Sequence, residues 1–76
     1  MNEGPIHYDP TTDSLYVKIR PAPSVEQDVH DDRDLVIDIG PDGDPVGYDI
    51  QHASKHPDVI VEALHLLRNA ARLKAA

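Results

Sequence analysis

Three sets of side chains in this sequence have types and spacings that chemistry could use. His52 and His56 stand four apart, the separation that puts two imidazoles on one helical face and lets them share a metal ion. They precede Pro57 in a stretch that reads as a loop, and spacing fixes no third ligand, so the expectation is solvated or helix-entry histidines. His65 stands alone and reads as a surface or satisfied core residue. His7, Tyr16 and Asp28 form the second set, groups able to pass protons if a pocket enclosed them. Asp38, Asp42, Asp44 and Asp49 form the third and mimic part of a calcium loop. Gly40 at its third position and strand-like flanks favour a polar turn instead. The serines Ser14, Ser24 and Ser54 have no nucleophile signature around them. No catalytic residue, metal ligand or cofactor is assigned.

The elements that would position these groups are legible from alternation. Period-2 patterning predicts strands at Ile6–Asp9, Ser14–Arg20, Ser24–His30, Leu35–Gly40 and Val46–Gln51. One face receives Ile6, Tyr8, Leu15, Val17, Ile19, Val25, Val29, Leu35, Ile37, Ile39, Val46, Tyr48 and Ile50. Short links rich in Pro, Asp and Gly join the strands, which implies an antiparallel meander. Pairing Tyr8 with Leu15 leaves the loop Pro10–Asp13, and pairing Ile37 with Tyr48 and Ile39 with Val46 leaves Pro41–Asp44. Pairing Ile19 with Val25 sets Lys18 against Glu26, a cross-strand charge pair. On the opposite face this register lines up His7, Tyr16, Asp28, Val36 and Asp49.

From Pro57 the pattern turns helical, with Pro at the first position, acids early and Arg68, Arg72 and Lys74 late. Ile60, Ala63, Leu64, Leu67, Ala70 and Ala71 form the apolar stripe, and Val59, Leu66 and Leu73 widen it. The fold class expected is α+β: a meander of about five strands over 1–56 and one helix over 57–76 packed on the apolar face, within a single domain. The surplus rim at Leu66 and Leu73 is a candidate partner surface. So is the sheet's polar face at His7, Tyr16, Lys18 and Arg20.

Composition bounds the rest. The 76 residues are 39% hydrophobic, with three Tyr, no Phe, no Trp and no Cys, so the core is thin, aliphatic and without disulfide staples. Association with itself or a partner is the expected reinforcement. Residues 1–58 hold 13 acids and 4 bases, and 59–76 hold one acid and 3 bases. An acidic body repels phosphate backbones and favours encounter with a basic protein. Met1–Ile6 lacks the basic start and apolar run of a signal peptide, and no apolar run could span a membrane, so a cytoplasmic location is expected.

Two blocks, Tyr8-Asp9 through Asp13-Ser14-Leu15-Tyr16-Val17, then Asp38, Asp42-Gly43, Val46-Gly47, Ile50 and Ala53-Ser54-Lys55, resemble domain of unknown function family 2283. The resemblance spans about residues 6–55 and departs at Gly47-Tyr48-Asp49-Ile50, where the family commonly has an aliphatic and a Glu. It implies a small prokaryotic β-rich domain with no accepted activity, some of whose members look like partners of toxin-like proteins. The leading expectation is a non-catalytic, antitoxin-like interaction domain for a basic partner, without direct nucleic-acid or membrane binding. The alternatives are a small enzyme or ligand- or metal-binding module using His7, Tyr16 and Asp28 or His52 and His56, and a structural homodimer.

Overall fold

The computed structural model describes residues 4–75, with side chains through Arg72. Among these residues, five strands form one antiparallel sheet: β1 (Ile6–Asp9), β2 (Ser14–Lys18), β3 (Glu26–His30), β4 (Leu35–Ile39) and β5 (Pro45–Ile50). Helix α1 (Pro57–Ala75) follows and packs over β2 and β5. The architecture is the expected α+β sheet-and-helix arrangement. Two single turns of 3-10 helix, Asp31–Arg33 and Ala53–Lys55, complete the connections.

The strand order is β1-β2-β5-β4-β3, so one expected pairing does not form. Ile19 does not pair with Val25, and Lys18 lies opposite Gly47 instead of Glu26. The cause is in the link between them. Pro21 and Pro23 fix φ and lack N–H groups, which disfavours a tight primed turn. Ile19 and Arg20 instead donate their backbone N–H groups to Val46 O, at 2.9 and 3.3 Å. The chain then crosses the end of β5 and β4 to the far edge, where Val25 N–H reaches Ile39 O at 2.9 Å. Three strand spacings are roughly 14 Å, and six residue steps reach about 20 Å, so the short link suffices. Arg20 fastens the crossing with a two-pronged bond to Asp42 at 2.9 and 3.1 Å.

The β1–β2 register is the predicted one, Tyr8 opposite Leu15, and Ile37 lies opposite Tyr48. Ile39 faces Pro45, because a bulge makes Val46 an extra residue there. Gly43 at φ 86 supplies the positive φ of that turn.

The buried core is Leu15, Val17, Ile19, Leu35, Ile37, Val46, Tyr48, Ile50, Ala53, Val59 and Ala63, with Ile39 partly buried against it. Four residues assigned to its face are not in it. Ile6 and Tyr8 on edge strand β1 are 42% and 54% exposed, and Val25 and Val29 at the other edge are 61% and 57% exposed. For Val29 the reason is register. Leu35, only 1% exposed, must face the helix, and its partner is His30. That places Glu26 and Asp28 on the helix side and Gln27 and Val29 on the open side. The row across the open face therefore reads His7, Tyr16, Asp49, Val36, Val29, with Asp28 on the opposite face.

On α1 the buried line runs through Val59 and Ala63, with Ile60, Leu66, Leu67 and Ala70 packed beside it. Leu64 and Ala71 are exposed, so the stripe is rotated from the predicted one. His56 O accepts from Val59 and Ile60 N–H, with Pro57 at the first helical position. Among the described residues, no helix is long and apolar enough to cross a membrane.

Candidate functional site

Among the described residues, three non-glycine residues have left-handed backbones: Asp13, Asp34 and His52, at φ 54, 50 and 50. That conformation costs L-residues roughly 1–2 kcal/mol, and such outliers concentrate at sites the surrounding structure holds firmly. All three lie at one end of the sheet, in the β1–β2 turn, the β3–β4 turn and the link from β5 to α1. Their side chains and backbones bind these three connections into one corner.

Asp13 is one centre of it. Its carboxylate accepts Tyr8 Oη at 2.8 Å, Ser54 Oγ at 2.6 Å and Ser54 N–H at 3.2 Å. Its backbone carbonyl accepts Ala53 N–H at 2.8 Å. The Ser54 hydroxyl, and after it the Tyr8 hydroxyl, hold the Asp13 carboxyl below its ordinary range. Asp34 is the other centre: its Oδ2 lies 3.0 Å from His56 Nε2 and 3.4 Å from His52 Nδ1. His56, then His52, lowers the pKa of Asp34. The His52/His56 pair thus converges on a carboxylate. Among the described residues, no group of three or more His, Asp or Glu is arranged to hold a metal ion.

The open face carries a second assembly. Tyr16 lies across Gly47 and donates to Asp38 Oδ2 at 3.1 Å, while Gln27 donates to Asp38 Oδ1 at 3.1 Å. A Cβ on Gly47 would overlap the Tyr16 hydroxyl, so glycine there is what lets the ring lie flat. Partial burial first, then the Asp38 carboxylate, pushes the Tyr16 phenol up to about 12. The carboxylates that mimic part of a calcium loop are dispersed, as a polar turn would leave them: Asp38 serves Tyr16, Asp42 serves Arg20, and Asp49 accepts from Gln51.

The structure brings three sequence candidates together. His7, Lys18 and Arg20 line an open groove of about 750 Å³ together with Ile19, Leu67 and Ala70. Arg20 is already engaged by Asp42. Tyr16 stands beside His7 across the β1–β2 pair. Leu66 is half-buried and packed against the core, and the side chain of Leu73 lies outside the described residues. Asp28 meets His30 Nε2 at 3.0 Å.

The Tyr8–Asp13–Ser54 junction was not predicted as a site. The signal for it lay in the blocks that carry the family resemblance, since all three residues belong to them. The architecture defines a two-layer α+β domain with a self-bonded polar corner. Residues 6–54 match the family described as protein of unknown function (DUF2283), and the chain belongs to that family. No curated protein and no solved structure matches it.

Proposed function

We propose that the protein is a non-catalytic interaction domain, antitoxin-like in working through a protein partner, and that this partner is basic. The observation that carries this reading is the division among its carboxylates. Asp13, Asp34, Asp38, Asp42 and Glu62 each hold an internal donor. Glu26, Asp31, Asp32, Asp44 and Asp58 carry no side-chain hydrogen bond or ion pair among the described residues, and the first three gather on β3 and its turn. Asp13, Asp34, His52 and His56 are engaged in holding connections together, while Glu26, Asp31 and Asp32 face solvent. Uncommitted charge of one sign steers association and selects an oppositely charged partner.

The test is isolation of the untagged protein from its own cells at low ionic strength. A basic protein should co-elute in fixed ratio and leave at about 1 M salt, where the screening length falls to roughly 3 Å. A lone monomer under the low-salt condition overturns the reading.

A further inference from the structure

We propose that β3 is a strand-addition site, taking an extended segment of alternating basic and apolar residues from a partner protein. This rests on the interaction reading above and adds the place and the pattern. β3 is an edge of the sheet, so one row of its main-chain groups has no neighbouring strand. Its two faces differ in chemistry. Glu26 and Asp28 project to the helix side, whereas Val29 projects to the open side and is largely exposed, as is Val25 just before the strand. Helix α1 packs on β2 and β5, and Glu26 through Val29 of β3 are exposed.

A strand laid beside β3 would alternate its side chains in the same way. Every second residue would meet Glu26 and Asp28, and those between would cover Val25 and Val29. Basic residues fit the first set and aliphatic residues the second. Asp31 and Asp32 extend the acidic row beyond the strand, and residues 24–32 contain no Lys or Arg. His30, at 3.0 Å from Asp28, is the one group an incoming cation would displace. A second copy of this chain is a poor occupant, because β3 against β3 sets acid opposite acid. The other edge is less suited: β1 is four residues long, follows Pro5, and its Tyr8 is tied to Asp13.

The experiment titrates the full chain with a short synthetic peptide of alternating Lys and Val, observed by amide NMR and hydrogen exchange. Shifts and slowed exchange should map to Glu26–His30. A peptide of the same composition in two blocks should bind at least about tenfold more weakly. N-methylation of the amides facing β3 should abolish binding, and methylation of those facing away should spare it, a control that leaves the protein untouched. The E26K/D28K variant, at exposed positions, should lose tenfold or more in affinity. Equal binding of the two peptides, or shifts confined to β1 or α1, overturns strand addition. If a native basic partner is then still recovered, the interaction reading survives it. A dimer that strengthens with concentration and is altered by E26K overturns it in favour of self-pairing.

Discussion

The two faces of the sheet each carry a Tyr–carboxylate bond, and the two bonds do different jobs. On the covered face, Tyr48 is 3% exposed and donates to Glu62 of α1, whose other oxygen accepts Arg33 from the β3–β4 turn. That junction fixes helix, sheet and turn to one another. Burial first, and the Glu62 carboxylate second, raise the Tyr48 phenol well above its usual range, while Tyr48 and then Arg33 lower Glu62. On the open face, Tyr16 reaches Asp38 within the sheet, and the bond flattens a ring over Gly47 without docking another layer. The same pair of residue types docks a helix on one side and smooths a surface on the other. What separates them is what lies above the hydroxyl.

The sharpest way to break this comparison is to remove the same kind of bulk from each face. Ile50→Ala, at a position fully enclosed between sheet and helix, should cost about 2–5 kcal/mol in denaturant unfolding. Val29→Ala on the open face should stay within about 0.5 kcal/mol. Gly47→Ala comes next. It must lift Tyr16 off the strand, and a cost of about 1–3 kcal/mol is expected with loss of the Tyr16–Asp38 bond. A neutral result would show that the ring does not rest there.

The hydroxyls themselves give smaller effects. Tyr48→Phe leaves a partly buried carboxylate short of one donor and should cost about 1–2 kcal/mol, against about 0.5–1 kcal/mol for Tyr16→Phe. Equal costs would erase the distinction between the faces. The gentlest test is alkaline titration by phenolate absorbance. The folded pKa of Tyr16, about 12, lies above its ordinary value of 10.0. The native state therefore holds that proton after the unfolded chain has released it. Its contribution is whole below pH 10.0 and is lost as pH rises towards about 12. Tyr16→Phe should blunt the fall in stability across that window.

Most of the architecture was written in alternation and turn chemistry, because β2, β4 and β5 bury one face and cannot slip without exposing it. Those strands were placed correctly, down to Tyr8 opposite Leu15 and Ile37 opposite Tyr48. β3 was misread for the same reason. As an edge it has little to bury, so Val25 and Val29 had no say in its register, and Leu35 on β4 decided it. The link through Pro21 and Pro23 looked like a turn because it is short and proline-rich, but two prolines also suit a straight crossing. The corner was less legible still. Asp13 and Ser54 are 41 residues apart, and nothing in either neighbourhood names the other. Tyr8 obeyed the apolar alternation with its ring, while its hydroxyl belonged to Asp13.

The crossing from β2 to β3 also sets an order of assembly. Hairpin β1–β2 and the run β3–β4–β5 are each built from sequence neighbours and can form early. Among the described residues, the seam they share is β2 against β5, which follows the other strands in sequence. The first hairpin leaves the ribosome with its inner edge and its apolar face both unclaimed. It waits until Ile50 has emerged before it has a strand to pair with, and until α1 follows before that face is covered. β5 thus joins two units that each pair from sequence neighbours.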